Sequence, residues 1–151
     1  MLTTDFGRVC LLTPSAWGSY ALRMSKSEYL TDYDGIVKAI QMYIDGCKQG
    51  KSALMRPAFH PEASFFGYAG EQLVTGTQFL FNWIDKNGPA PKIEPRVTSV
   101  DILESIAVVR LEVASWSGNL AGSGVHMSDL FTLLKMPDGW KIIQKAFHWH
   151  S

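Results

Sequence analysis

The chain has no surplus of charge of either sign: lysine plus arginine and aspartate plus glutamate number 14 each in 151 residues. A neutral surface gives no electrostatic footprint for nucleic acid and none for an anionic membrane. Cysteine is scarce. Cys10 and Cys47 are the two present. They match no metal-ligand spacing, and the reading they support is free thiols in a reducing, cytoplasmic setting. No apolar run is long enough to span a bilayer. Residues 1–23 hold only a short apolar patch at positions 9–12, preceded by Asp5 and without a basic leader, so they read as a poor secretory signal. A nucleophile elbow of the Gly-x-Ser-x-Gly type is also missing.

Apolar material is ample. The hydrophobic fraction is 46%, enough for one domain of this length to bury a core without metal or disulfide support. Met24 opens MSKSEYLTDYD in the manner of a natural start. Residues 1–30 therefore read as a poorly ordered N-terminal extension, or in part as the product of a start codon placed too far upstream, and residues 31–151 as the domain.

Between 31 and 50, Ile36, Ile40, Tyr43, Ile44 and Cys47 recur at steps of three and four, which marks one face of a helix. Thr31 is placed as its N-cap with Asp34 in the capping-box position, and Gly50 as its stop. SALMR (52–56) predicts a short second helix ended by Pro57. In AFHPEASFFGY (58–68), Pro61 supplies a turn and a strand runs over 63–68. Residues 70–76 are a connection. Thr77 caps a third helix through QFLFNWIDKN, with Phe79, Leu80, Trp83 and Ile84 on or near its apolar face and Gly88, Pro89 and Pro91 as its stop. The remainder is sheet: 96–105, 106–116, 125–135 and 140–150 form a meander, with the glycine-rich 117–124 and the MPDG turn among its connections. Within 106–116, Val109, Leu111 and Val113 share one face, and Arg110, Glu112 and, by parity, Trp116 share the other. Helices grouped ahead of an antiparallel sheet predict an α+β domain.

Few residues carry chemistry. GNLAGSG has the glycines of a phosphate cradle but no following Lys-Ser or Lys-Thr, and strands flank it on both sides, so it reads as a hairpin loop. His148 and His150 are a His-x-His pair on one strand face. A metal site needs a third ligand, for which His126, Asp129 and His60 are the candidates; no metal and no cofactor is assigned. Cys47 is a small core residue on the helix face. His60 reads as a turn histidine whose ring binds nearby backbone, with an acid–base role as the alternative. Trp83, Trp116, Trp140 and Trp149 are core or interface residues, or walls of a pocket.

Three strings, IQMYIDGCKQGKSALMRPAFHPEASFFG, GTQFLFNWI and DLFTLLKMPDGWKIIQKAFH, together with the order of elements, resemble the nuclear transport factor 2-like superfamily. Within it they resemble the putative lumazine-binding family and SnoaL-like proteins. The resemblance runs from about Tyr33 to His150. It implies a cone-shaped fold in which three N-terminal helices pack on a strongly curved antiparallel sheet, a pocket between the layers, and a homodimer. It selects no activity, because the superfamily holds isomerases, cyclases, dehydratases and non-catalytic binders. Ketosteroid isomerases carry an oxyanion-binding tyrosine on the first helix, a carboxylate base on the strand after the second helix, and a protonated aspartate on a late strand. The resemblance puts Tyr43 at the first position and Asp129 near the third. The second falls on or beside Gly67, where no carboxylate stands. Asp129 shares a strand face with Phe131 and Leu133, and apolar surroundings favour a neutral acid.

The leading expectation is a domain that binds a small apolar or aromatic molecule, with Phe66, Tyr68, Trp83 and Phe131 as walls and Tyr43, Asp129 and His148 as polar contacts. An enzyme of isomerase, cyclase or dehydratase type is the alternative, with His148 or His60 as base and Tyr43 as electrophile. A third reading is a dimeric interaction module with a filled pocket, whose outer sheet face makes the contact through Trp116 beside Arg110 and Glu112.

Overall fold

Helix α1 (Lys26–Gln49) starts ahead of Thr31 in the computed structural model, which describes residues 25–116 and 125–150. The N-terminal segment before it, Cys10 and the glycine-rich 117–124 lie outside the described residues. Ser25 caps the helix. Its hydroxyl accepts from the Glu28 backbone N–H at 3.2 Å, and the Glu28 carboxylate accepts from the Ser25 N–H at 2.9 Å. This reciprocal box satisfies amides that a helix start leaves open. Thr31 and Asp34 are therefore not the cap; Thr31 sits inside the helix and its hydroxyl donates to the Ser27 carbonyl. The apolar repeat starts only at Ile36, so periodicity marks the buried length of the helix and not its polar beginning. Gly50 ends α1 in the left-handed region, φ 63°, with its N–H on the Cys47 and Gly46 carbonyls.

Helix α2 (Ser52–Met55) and a 3₁₀ turn (Arg56–Ala58) follow. Strand β1 (Phe59–Ala69) then runs straight through His60 and Pro61. Pro61 makes no turn. It lies where pairing with the neighbouring strand is interrupted, between Phe59 and Ser64, so its missing N–H removes no ladder bond. Strand β2 (Gln72–Thr75) folds back on β1 as a hairpin within the stretch expected to be a plain connection. Helix α3 (Thr77–Asn87) has Gly76 as N-cap, and Thr77 is its first residue and not its cap. Strands β3 (Glu94–Leu103), β4 (Ile106–Trp116), β5 (Val125–Met136) and β6 (Gly139–His150) complete a six-stranded sheet in the order β2-β1-β6-β5-β4-β3.

The helices pack on this curved, open sheet, as expected, but the sheet is mixed and not purely antiparallel. Strands β1 and β6 run parallel. The reason is the path: after the β1–β2 hairpin the chain passes through α3, restarts at the far edge with β3, and returns to β1 by successive antiparallel reversals.

Two bulges decide which side chains face inward. On β4 the register passes from Val113↔Met127 to Trp116↔Val125, one residue longer on β4, with Ser115 at φ 57°. Trp116 therefore turns into the core, away from Arg110 and Glu112, which overturns its expected place on the outer face. On β6 the register passes from Leu133↔Ile142 to Thr132↔Gln144. Before that bulge Trp140 and Ile142 point inward. After it Lys145, Phe147 and Trp149 do, while Gln144, His148 and His150 are exposed on the other face.

Helix α1 is tied to the β5–β6 hairpin by buried Asp32. Its Oδ1 accepts from the Trp140 indole N–H at 3.1 Å and from Lys135 at 2.7 Å. Gly67 on β1 lies flat beneath Phe147, and an added Cβ would overlap the ring carbons. We expect Gly67→Ala to lower the unfolding free energy by about 1–3 kcal/mol, the range for overpacked sites. Urea unfolding at unchanged m-value reads this directly. A variant as stable as the parent would mean that the Phe147 ring moves aside freely.

Candidate functional site

A narrow cavity of about 70 Å³ lies on the inner side of the sheet under α1 and α3. Phe65, Val74, Leu80, Trp83, Trp116 and Phe147 are among its walls, so it is almost wholly apolar. Phe79 lines it too and is exposed, which places that ring at the mouth. Its charged and hydroxyl-bearing lining residues are Lys145 and Tyr43.

The two belong to a buried network. Tyr43 comes from the inward face of α1, Asp129 from β5 and Lys145 from β6, just past the bulge. The Lys145 ammonium donates to Asp129 Oδ1 at 2.7 Å, and the Tyr43 hydroxyl donates to Asp129 Oδ2 at 3.1 Å. Asp129 is 0% and Lys145 2% exposed. Lys145 Nζ also stands 5.3 Å from the ring centre of Tyr43, 5.2 Å from Phe65, 5.6 Å from Phe131 and 5.0 Å from Phe147. Ring faces at that distance attract a cation and replace part of its hydration. Burial holds the Tyr43 phenol well above its ordinary range, and the negative Asp129 adds to the effect. Burial likewise pushes the Cys47 thiol, one turn along α1, up to about 12.

Among the expected site residues, Tyr43 and Trp83 do reach the cavity. Asp129 sits behind them, joined to Tyr43 as the resemblance implied, but its surroundings are not purely apolar because Lys145 is its partner. Tyr43 is not a free donor for a ligand oxygen, since its proton is engaged by Asp129. Phe131 is no wall: it packs against Tyr43, ring centres 5.1 Å apart, in the core below the cavity. Phe66 and Tyr68 are 47% and 53% exposed on the opposite sheet face. Strand alternation puts Phe65, Gly67 and Ala69 inside in their place. His148 is exposed on that outer face as well. His60 lies outside the cavity, and its Nδ1 accepts from the Glu62 N–H at 3.1 Å, the local backbone contact expected of it. The place beside Gly67, where ketosteroid isomerases hold their base, is filled by Phe147.

Lys145 is the cavity residue that the sequence does not announce. Counting parity from Trp140 puts it on the outer face, and only the bulge brings it in. A signal was present all the same: Lys145 is in phase with Phe147 and Trp149, a cation on an otherwise aromatic strand face.

The putative lumazine-binding family model matches residues 31–148. The chain belongs to that family. It is 35% identical to a nuclear transport factor 2-like protein of unknown function from Methylobacillus flagellatus, with 80% of this chain and 94% of that one covered at a TM-score of 0.73. It is 32% identical to a second such protein from Shewanella baltica, covering 82% and 97% at a TM-score of 0.73. The aldolase FrzH of a Cladobotryum species is 23% identical over 126 residues, 83% of this chain and 97% of that protein. Family and fold together make this a small-molecule-binding domain of the nuclear transport factor 2-like superfamily. Among the described residues, no helix is long and apolar enough to cross a membrane.

Two predictions follow from the floor of the cavity. Lys145→Met leaves the buried Asp129 carboxylate without its counter-charge and is expected to cost about 3–5 kcal/mol of stability. The double variant D129N/K145M removes both charges and should recover most of that loss, as chemical denaturation would show. A single variant as mild as the double would mean that the two charges are not coupled. Tyr43 and Cys47 both have folded-state pKa values above their ordinary 10.0 and 9.0. The folded chain thus holds protons that the unfolded chain releases at high pH. Their stabilisation is whole below about pH 9 and declines as pH rises further. Denaturation midpoints should fall above pH 9, and less steeply in Cys47→Ala; a flat profile to pH 11 would contradict the burial of these groups.

Proposed function

We propose that the chain binds a small, neutral, planar molecule, aromatic or conjugated, that presents a carbonyl or enol oxygen. The ring lies among Phe65, Trp83 and Phe147, and the oxygen accepts from Lys145. The observation that carries this reading is Lys145 itself. An ammonium has three N–H donors; the Asp129 bond uses one, and no second hydrogen-bond acceptor holds it among the described residues. Asp129 already balances the lysine charge, so a neutral oxygen suits the site better than a carboxylate. The cavity of about 70 Å³ is small beside the roughly 300–1,000 Å³ of drug-sized pockets. A ring-sized guest therefore requires Phe79, at the mouth, and Trp83 to turn outward. The family's name points to the same chemistry, since lumazine is a flat heterocycle bearing carbonyl groups.

A catalytic reading is favoured by one separate observation, the similarity to the aldolase FrzH. A preorganised cation in a water-poor pocket stabilises an enolate oxygen better than it does a ground-state carbonyl. The isomerase version loses support, because His148 and His60 lie outside the cavity and Phe147 occupies the base's position. Carbon–carbon bond chemistry on a substrate that supplies its own enol needs less of the protein. A homodimer remains part of this proposal. Phe66, Tyr68, Val108 and Leu130 are exposed on the outer sheet face and offer it apolar ground, and sedimentation velocity would register it.

Trp83, Trp116 and Trp149 line the cavity and provide the readout. Titration with lumazine and with acetophenone should quench tryptophan fluorescence saturably in the parent protein. In D129N/K145M the affinity should drop about tenfold or more, the worth of a charge-assisted hydrogen bond of about 1.5–3 kcal/mol. No saturable quenching with either probe, or equal affinity in the double variant, would overturn the reading.

A further inference from the structure

The opposite face of the sheet carries a second constellation, independent of the cavity. We propose that Glu112, His126 and His150 form a binding site for a divalent first-row transition cation, zinc foremost, on the outer face of the sheet.

The three residues sit on three adjacent strands. Glu112 lies on β4 opposite Ser128 of β5, and His126 of β5 lies directly opposite His150 of β6. Opposed side chains on an antiparallel pair have Cβ atoms about 4.5–5.5 Å apart. The convergence is therefore imposed by the hydrogen-bonded ladder and does not rely on a loop. One ligand atom from each residue falls within 4.8 Å of the others. Glu112 Oε2 stands 2.7 Å from His126 Nε2, and the His126 and His150 rings have centres 4.8 Å apart.

The surrounding groups orient these ligands as outer partners do in metal sites. Arg110 Nε donates to Glu112 Oε1 at 2.6 Å and so turns Oε2 towards the histidines. The Ser128 hydroxyl donates to that same Oε2 at 2.6 Å and stands 2.8 Å from His150 Nε2, bridging the ligating atoms, so its Oγ has to turn aside when an ion binds. The hydrogen bond from Ser128 is the largest influence on the Glu112 carboxyl and, with those from Arg110 and His126, holds it down at about 2 against the opposing effect of burial.

The donor set chooses the ion. Two imidazoles and one carboxylate suit zinc and its transition-metal neighbours, whereas magnesium and calcium take oxygen ligands. In a tetrahedral zinc site with bonds of about 2.1 Å, ligand atoms lie about 3.4 Å apart. The Glu112–His126 pair has to open slightly from 2.7 Å, and the widest separation has to close from 4.8 Å. Both are adjustments of about an ångström or less-than-two, within reach of rotamer shifts in exposed side chains. His126 is 47% exposed at its side chain, so an ion has an open path. Three protein ligands leave a coordination position for water or for His148, whose ring lies 4.7 Å from that of His150.

The test is calorimetric titration of the full chain, free of any histidine tag, with zinc chloride, paired with cobalt(II) absorption. The expected result is about one zinc per chain and a visible cobalt band of tetrahedral type. His126→Ala, His150→Ala and Glu112→Gln should each weaken zinc at least about tenfold, since loss of a direct ligand weighs no less than loss of an outer partner. His60→Ala, remote from the site, should leave it unchanged. Circular dichroism confirms that each surface variant is folded. Absence of zinc binding in the parent, or undiminished affinity in the H126A/H150A double variant, would overturn the proposal.

Discussion

A lysine and an aspartate facing each other in the dry interior of this domain constrain much of what surrounds them. Taking two charges out of water is unfavourable by several kcal/mol per ion, and only close pairing with further hydrogen bonds offsets it. The Asp129–Lys145 pair meets that condition at 2.7 Å, with Tyr43 completing the carboxylate and four aromatic rings around the ammonium. Tyr43 belongs to α1, so the same network that satisfies Asp129 also fixes the rotation of the helix on the sheet. An apolar core of equal volume would hold the layers as firmly. What the ionic core adds is a definite register between α1, β5 and β6, and an N–H donor presented to the cavity.

This arrangement exists because of one extra residue on β6. In a regular strand Trp140, Ile142, Gln144, Ala146, His148 and His150 would share a face. The bulge between Ile142 and Gln144 exchanges the faces, so Lys145, Phe147 and Trp149 turn inward and the histidines turn out. The cavity and the outer histidine cluster are therefore two results of a single insertion. The bulge on β4 acts in the same sense for Trp116, which leaves the polar face and becomes a cavity wall. Bulges commonly re-aim side chains near functional sites, and here they determine which chemistry lies on which side.

The parts of the structure that were legible in the sequence are those governed by unbroken periodicity. The α1 face from Ile36 to Cys47, the inward Val109, Leu111 and Val113, and the succession of helices and strands apart from β2 follow from regular spacing. Tyr43 and Trp83, which line the cavity, lie on helix faces that the same spacing marks. Phe66, Tyr68, Trp116 and His148 lie on faces other than those expected, because alternation says which residues travel together and is silent about which group faces the core. A bulge also breaks the count without leaving a mark in composition. Pro61 looked like a turn because proline excludes itself from central ladders; it is tolerated here since the β1–β6 pairing is interrupted around it. Ser25 and Glu28 carried a readable capping signature, but no apolar residues followed closely enough to connect it with the helix.

The same geometry weighs between binding and catalysis. Moving a proton to or from carbon requires a base within hydrogen-bond reach of the substrate. Asp129 has both oxygens occupied, one by Lys145 and one by Tyr43, and it lies behind the cavity wall. Phe147 over Gly67 leaves no room for a carboxylate at position 67 of β1. Among the described residues, the cavity lining thus offers a strong hydrogen-bond donor, Lys145, and no side-chain base. In the proposed binding mode such a site holds and polarises an oxygen, and stabilises negative charge that appears there in a reaction the substrate begins by itself. Evolution towards an isomerase from this scaffold would first have to replace the Phe147 ring with a smaller side chain, because only then could position 67 carry the missing base.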